Sequence, residues 1–452
     1  MRIFNKKEPL ILFAGDLFFL LVALWLSLYL RYLSTPSTAI LESHLPPFLL
    51  LFVVWIIAFF IAGLYDKQTV LLKSRLPAVI FNTQVTNSII AVVFFYFIPY
   101  FGITPKTNLF IDLIVSFLLI AIWRIYLYTI LGVKKKQNAI LIGSGKEIQE
   151  LRDEVNHNPH YSINFISSID LNDMEAIDVQ QDIIQRIYEE EVSIIAIDLH
   201  NPKAQPLLPH LYNLIFSNIV FISKHKIYED IFDRIPLSLV KYSWFLENIS
   251  TSPSVVYDFL KRVMDIVMAV IIGAFYLLLL PFVYIAIKWD DKGPVHFFQE
   301  RVGKNNAIIK IMKFRTMNVV DDGTWVTQEG TKDTREMRVT RVGKFLRKAR
   351  IDEFPQFVNM LVGDISFIGP RPELPALVKF YEKEIPYYNV RHLITPGLSG
   401  WAQIHHEVPP HTVDETRMKL SYDLYYIKNR SFLLDVKIML KTVKTLLSRS
   451  GI

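Results

Sequence analysis

Five long apolar runs constrain this chain more than any other feature. Four open the sequence, at about 9–32, 47–64, 78–101 and 108–131, and a fifth occupies about 263–287. Each approaches the ~20 residues that carry a helix across a bilayer. Over the whole 452 residues 52% of side chains are hydrophobic, with a mean hydropathy of +0.30. No small-residue cleavage site follows the first run, so it is expected to remain as an anchor. Flanking cations set the orientation. Arg2, Lys6 and Lys7 precede the first run, Lys67, Lys73 and Arg75 follow the second, and Lys134, Lys135 and Lys136 follow the fourth. The loop from Ser34 to Pro46 holds no Lys or Arg, and the loop at 102–107 only Lys106. The positive-inside rule therefore puts both ends of a four-helix bundle, residues 1–136, in the cytoplasm. Arg124 lies inside the fourth run, where an ionisable residue is costly and is expected to face a partner.

The chain has no cysteine, which removes disulfides, thiolate metal sites and cysteine nucleophiles. A net charge of +6 and a pI near 9.0 suit an anionic membrane surface or phosphorylated substrates. Nucleic acid is the rival partner of a basic chain. The uninterrupted apolar runs argue against it, and no nucleic-acid partner is expected.

From Asn138 the texture changes. NAILIG reads as a buried strand, GSGKEIQELRDEV as a turn into a helix, and NFISSID as a second strand ending at Asp170. DIIQRIYEEEV reads as a helix, with SIIAIDL and IVFIS as third and fourth strands. Strands alternating with helices imply a parallel, doubly wound, Rossmann-like module over 137–225. Gly143 and Gly145 supply two glycines of a dinucleotide fingerprint, and Asp170 falls near the ribose-binding acid, but Ile148 stands at the third glycine. A structural or regulatory module is expected over a cofactor site. Residues 226–256, with Pro236 and Pro253, read as a linker.

The fifth run follows Lys261-Arg262 and contains Gly273 and Pro281. Its length permits a crossing, which would carry the polar remainder, 289–452, to the outer face. Pro281 removes a backbone bond inside an apolar helix and favours a bend. A helix that enters, breaks and returns on one side also fits, given partners for its freed backbone groups. Periodicity does not separate the two. Near the end, FLLDVKIMLKTVKTLLSR gathers its apolar residues on one face, away from Lys437, Lys441 and Lys444. That helix suits an anionic membrane interface or the domain's own core equally.

The polar domain contains RKARIDEFPQFVNMLVGDISFIGPRP, residues 347–372. Asp352 and Glu353 are adjacent, Pro355 follows, and Arg347, Arg350 and Arg371 flank them. Proline favours the first helical turn, so a helix is expected just after the acid pair. Its dipole would favour ionised carboxylates. Such carboxylates beside guanidiniums suit phosphate and a divalent cation. Taken alone, D-E-x-P reads as well as a helix cap with solvated ion pairs.

QERVG (299–303), KFRTM (313–317), RKARIDEFPQ (347–356), GDISFIGPRPE (363–373) and TPGLSGWAQI (395–404) occur in one order. With Lys261-Arg262 and the interrupted apolar run, they resemble the bacterial sugar transferases, monotopic polyprenyl-phosphate phosphoglycosyltransferases, in their long form. The resemblance implies a membrane α plus α/β architecture: the four-helix bundle, the Rossmann-like module and a monotopic α/β catalytic domain over 257–452. Within that domain it implies a re-entrant helix over about 261–288, broken near Leu280-Pro281, and interfacial amphipathic helices. Leu280 departs from the family, which usually has a small polar residue there. The implied reaction moves sugar-1-phosphate from a UDP-sugar to undecaprenyl phosphate, giving undecaprenyl diphosphate-sugar and UMP. UDP-glucose or UDP-galactose is the default donor, with N-acetylated and deoxy sugars open. The implied setting is polysaccharide, O-antigen or capsule initiation at the bacterial inner membrane, with the catalytic domain on the cytoplasmic face. The oligomeric state is left open, a homodimer included.

By the same resemblance Asp352 is the nucleophile, and Glu353 reaches Mg²⁺ or positions the phosphate. Both carboxylates would meet one Mg²⁺ only at an irregular helix start, which Pro355 allows. Arg371 and Arg347 are the favoured phosphate contacts, ahead of Arg301, Lys313 and Arg315. Gly369 and Pro370 would shape the turn presenting Arg371, and Asp364 is expected to be structural. His405, His406, Glu407 and His411 lack a helical ligand spacing, and Pro409 and Pro410 make them a loop, so no metal is expected there. A non-catalytic membrane assembly factor is the rival reading. A transporter is disfavoured because the motifs lie outside the apolar runs.

Overall fold

The computed structural model describes residues 8–65, 76–97, 106–127, 136–158, 161, 163–171, 187, 189–199, 201–217, 219–249, 255–291, 293–317, 339–405 and 412–448. They fall into two compact units, Met1–Asp230 and Ile231–Ile452. The first begins with four apolar helices: α1 (Glu8–Tyr32), α2 (Thr38–Ile61), α3 (Leu76–Phe97) and α4 (Lys106–Ile122). A π turn, Trp123–Leu127, extends α4. All four are long and apolar enough to cross a membrane. They are apolar all round because both the bundle interior and a lipid exterior demand it. Leu20, Phe48, Phe52, Trp55 and Phe59 pack inward, while Phe18, Val53, Phe81 and Phe110 face out.

Arg124 has its partner. Its Nε donates to Asp16 Oδ1 at 3.0 Å, its Nη2 donates to Oδ2, and its Nη1 donates to the Leu64 carbonyl at 2.7 Å. Tyr65 completes the group, donating its hydroxyl to Asp16 Oδ2 at 2.6 Å. A buried ion pair is tolerable when its remaining hydrogen-bonding capacity is filled in this way. Arg2, Lys6, Lys7, Lys67, Lys73, Arg75, Lys134 and Lys135, on which the orientation rests, lie outside the described residues.

The strand reading gives β1 (Gln137–Gly143), β2 (Ile163–Asp170), β3 (Ile194–Ile197) and β4 (Val220–Ser223), all parallel in the order β2-β1-β3-β4. The Ile-rich runs of the central strands β1 and β3 are buried, as strands covered on both faces require. α5 (Lys146–His157) follows β1 and buries Ile148, Leu151 and Val155. Most of the expected helix at 182–192 lies outside the described residues. α6 (Leu208–Asn213) and α7 (Lys224–Phe232) flank β4. The strand order puts a switch point between β1 and β3, the usual ligand crevice of such sheets. There the Lys224 amino group lies 3.3 Å from the Ser144 carbonyl and 3.6 Å from Asp198. A Cβ on Gly143 would come within 2.9 Å of Lys224 Cδ. The Lys224 side chain thus lies beside the glycine turn.

In the second unit the stretch read as a linker packs on the core over its described residues 231–249. Around α8 (Tyr242–Asn248), Ile235, Val240 and Trp244 enter the core. Trp401 Nε1 donates to the Asp233 carbonyl at 2.8 Å. α9 (Val255–Asp291) is a single helix of 37 residues with Pro281 inside it. The expected break near Leu280-Pro281 is therefore not an interruption of the helix. A β-hairpin follows, β5 (His296–Val302) with β6 (Ile308–Phe314), Phe297 opposite Lys313.

The remaining elements are α10 (Arg341–Lys348), α11 (Phe357–Val362), β7 (Ser366–Ile368), α12 (Pro375–Glu384), β8 (Gly397–Ser399), α13 (Trp401–His405), α14 (Val413–Asn429) and α15 (Phe432–Ser448). β7 and β8 pair in parallel. Thr412 and Glu415 form a reciprocal capping box that starts α14. One face of α15 packs on the domain: Asp435 and Ile438 are fully buried, and Lys437 and Lys441 lie over the Trp401 ring.

Candidate active site

Arg350 turns the chain into the site. Its φ of 57° and ψ of 17° are left-handed, a strained choice for a residue with a side chain. A 3-10 turn, Ile351–Gln356, starts directly after it. The helix thus begins before the acid pair rather than after it, and Pro355 lies inside the turn. Successive residues of a 3-10 helix point about 120° apart, so the two acids diverge. Glu353 is buried, and Asp352 is half-buried.

Glu353 is clamped. Arg371 Nη2 donates to its Oε1 at 2.6 Å, and Lys313 Nζ donates to the same oxygen at 3.2 Å. Burial pushes the Glu353 carboxyl up, but the charges of Arg371 and Lys313, with the Arg371 hydrogen bond, outweigh it and hold it well below the usual range. Asp352 goes the other way. Burial, then the Glu353 charge, pushes it up to about 6 against the pull of Lys313, Arg347 and Arg371. Asp352 therefore ionises less readily than a free carboxylate and Glu353 more readily, because desolvation and then a like charge act on Asp352.

The other predicted residues divide. Arg347 donates from Nε to Thr316 Oγ1 at 2.9 Å, and its charge and that of Asp352 act on each other. Arg301 is a strut. Its Nε and Nη2 donate to Gln299 Oε1 at 3.2 and 2.7 Å, and its Nη1 donates to the Pro372 carbonyl at 3.1 Å. Arg315 is buried with its guanidinium against Gly293, where a Cβ would collide with it.

Gly369 and Pro370 act through backbone. Gly369 N donates to the Ser399 carbonyl at 2.8 Å, and Gly397 N donates to the Pro370 carbonyl at 2.9 Å. A Cβ on Gly369 would lie 2.6 Å from the Thr395 carbonyl oxygen. A Cβ on Gly397 or Gly400 would strike the Gly369 backbone. The GPRP and TPGLSG motifs are two sides of one main-chain contact that only glycine permits. Arg371 leaves that contact with its side chain 30% exposed, within reach of an incoming anion.

Residues outside the acid cluster position it, and of these Asp265 and Asn359 carried little signal in the sequence. α9 is bolted to both flanks. Lys261 Nζ donates to the Ile368 carbonyl at 2.8 Å and to Asp435 at 3.2 Å. Arg262 donates to the carbonyls of Met360 and Leu361 at 2.9 and 2.7 Å, closing the end of α11. Asp265 Oδ1 accepts from Ser366 Oγ and Phe367 N, both at 2.8 Å. Asn359 Oδ1 accepts from Met312 N at 3.0 Å, and its Nδ2 donates to the Lys310 carbonyl at 2.8 Å, tying β6 to α11. Asp364 accepts from Asn359 Nδ2 at 3.2 Å, a structural contact. A polar residue inside an apolar run was the available clue for Asp265 and Asn359.

Asp352 and Glu353 thus stand among three cations, Arg371, Lys313 and Arg347. Among the described residues no three His, Asp or Glu side chains gather as a metal site. His406, Glu407 and His411 lie outside the described residues. Two carboxylates still fit Mg²⁺, which takes its other oxygens from phosphates and water. Glu353, already holding two cations, is the less available of the pair.

Residues 256–449 match the family described as bacterial sugar transferase. Over 204 residues the chain is 48% identical to the UDP-N-acetylgalactosamine-undecaprenyl-phosphate N-acetylgalactosaminephosphotransferase of Aeromonas hydrophila, covering 45% of this chain and 47% of that one. Over 197 residues it is 42% identical to the UDP-glucose:undecaprenyl-phosphate glucose-1-phosphate transferase of Caulobacter vibrioides, covering 43% of this chain and 73% of that one. The exopolysaccharide production protein PSS of Rhizobium leguminosarum bv. phaseoli is 38% identical over 198 residues, 42% of this chain and 96% of its own length. The chain therefore spans about half the length of the Aeromonas relative.

Proposed function

The chain belongs to the bacterial sugar transferase family, and from that premise we propose that it transfers hexose-1-phosphate from a UDP-hexose to undecaprenyl phosphate. UMP and undecaprenyl diphosphate-hexose are the products. One observation carries the reading: Lys313, the Asp352-Glu353 pair and Arg371, from three separate motifs, converge on one cluster.

An Asp352 oxygen attacks the sugar-bearing phosphorus of the donor. The bond from that phosphorus to the bridging oxygen breaks, and the oxygen leaves with UMP. The phosphohexose remains on Asp352 as an acyl phosphate. An oxygen of undecaprenyl phosphate then attacks the same phosphorus, the acyl-phosphate bond breaks, and the carboxylate returns. Two displacements replace one harder step. Desolvation suits Asp352 to this role, because a carboxylate poorly stabilised as an anion is the more reactive one. Arg371, Lys313 and Arg347 bear on the diphosphate charge. Asp352, with Glu353 the less available of the two, would hold Mg²⁺, which would supply charge neutralisation for the departing UMP.

The names of the relatives include glucose and N-acetylgalactosamine, so both belong beside galactose in a donor panel. The full chain with Mg²⁺, undecaprenyl phosphate and each UDP-sugar is expected to release UMP with at least one donor. Silence across the panel would favour the non-catalytic assembly role.

The catalytic unit lies on the cytoplasmic side of the bacterial inner membrane, with α9 re-entrant. A straight helix would separate Lys261 from Asp290 by about 43 Å, more than the ~30 Å hydrocarbon core. Yet both ends hold one domain: Lys261 at the Ile368 carbonyl, and Asp290 Oδ2 accepting from Val342 N at 3.0 Å. Val267, Val270, Phe275, Leu278 and Phe282 are left exposed for lipid. The chain lacks cysteine, so Asp258→Cys and Lys288→Cys report topology directly. An impermeant maleimide should label both in inside-out vesicles and neither in spheroplasts. One end labelled on each side would mean that α9 crosses.

A further inference from the structure

Behind Arg371 lies a second cluster of charges that the transfer steps do not use. Arg391, 2% exposed, donates from Nη2 to the Arg371 carbonyl at 3.0 Å. Arg301 donates from Nη1 to the next carbonyl, that of Pro372, at 3.1 Å. Both guanidiniums face one carboxylate: Glu373 lies 3.8 Å from Arg391 Nη1 and 3.9 Å from Arg301 Nη1. Lys419 Nζ donates to the same carboxylate. Asp423, 2.9 Å from Arg391 Nη2, and the Tyr388 hydroxyl, 2.7 Å from Nη1, occupy the other side of Arg391. The Glu373 carbonyl accepts from Val302 N at 2.9 Å, so β5 is stitched to the same segment.

We infer that Glu373 is a positioning residue for phosphohexose transfer, fixing Arg371 against Glu353 through the two arginines that hold the Arg371 and Pro372 carbonyls. This rests on the transfer reading above. Apolar residues would stabilise this region at least as well as a buried ion cluster, since desolvation offsets much of the Coulomb gain. What the charges supply is location. Arg301 and Arg391 are long side chains with several staggered rotamers, and a shared anion selects the pair of rotamers that meets both carbonyls. With Glu373 neutral, the two like-charged arginines lose the anion between them, and the backbone carrying Arg371 is freed to drift. A displacement of about 1 Å at a charge-stabilising group costs on the order of 10²-fold in rate.

Glu373→Gln keeps the shape and an acceptor oxygen while removing the charge. It is expected to lower kcat roughly 10- to 100-fold with KM for the UDP-hexose nearly unchanged, and Glu373→Asp should recover part of the loss. The coupling is decisive. In an Arg371→Lys background, Glu373→Gln should cost little more, because the group it positions is already altered. Additive losses, or a Glu373→Gln enzyme with wild-type kcat, would overturn the inference. So would a kcat that returns to the wild-type value once corrected for the folded fraction given by the melting curve. If Glu373→Gln does not fold, Glu373→Asp carries the same coupling test. Wild-type enzyme inactive on every donor would overturn the transfer reading and this inference with it. Wild-type activity lost in Asp352→Asn but untouched by Glu373→Gln would overturn this inference alone.

Discussion

Asp352→Asn is expected to abolish UMP release, with a loss of at least roughly 10⁴-fold, as when the nucleophile of a covalent enzyme is removed. It should also abolish a mass gain of one phosphohexose when the wild-type chain meets UDP-hexose without acceptor. Asparagine has nearly the shape of aspartate, so the 3-10 turn over Ile351–Gln356 should persist. Removing a negative charge beside buried Glu353 also relieves repulsion, so stability should hold or rise. Inactivity in this variant therefore cannot be attributed to unfolding, provided its melting curve matches the wild type. Turnover that survives, or an adduct that still forms, would remove Asp352 from the mechanism.

Lys261→Met should be the most damaging change outside the acid cluster. Asp435 is fully buried and takes hydrogen bonds from Lys261, Tyr257 at 3.0 Å and Tyr426 at 2.7 Å. Stripping a buried anion of its cation costs roughly 3–5 kcal/mol, and about 2–4 here because two tyrosines keep donating. The same lysine holds the Ile368 carbonyl, one residue before Gly369. Activity should fall along with the unfolding midpoint, since α9 then loses its hold on the segment carrying Arg371. Lys261→Met/Asp435→Asn should regain stability by removing the uncompensated charge. A single variant that melts like the wild type, or a double variant no better than the single, would contradict this account.

Much of the architecture was legible from local pattern. Among the described residues the apolar runs give five membrane-length helices, and NAILIG and SIIAIDL give adjacent parallel strands. The motif order around Asp352-Glu353 also picks out residues that meet in space, Lys313 and Arg371 among them. Arg301 and Arg315 show the limit. Both carry the charge that a phosphate site wants, and the fold adds that Arg301 braces the Pro372 carbonyl and Arg315 packs over Gly293, partners that no motif names. Charge is a property of the residue, whereas the partner of that charge belongs to the fold.

The sequence by itself determined which segments are apolar enough for a membrane, which alternate as strand and helix, and which adjacent acids stand among arginines. Those follow from composition and spacing over a few turns of chain. Only the tertiary structure decided that the helix starts ahead of Asp352, because Arg350 adopts a left-handed turn. It alone separated the two carboxylates, burying Glu353 under Arg371 and Lys313 while leaving Asp352 beside a like charge. Desolvation and ion pairing depend on neighbours distant in the chain, and no local pattern encodes them.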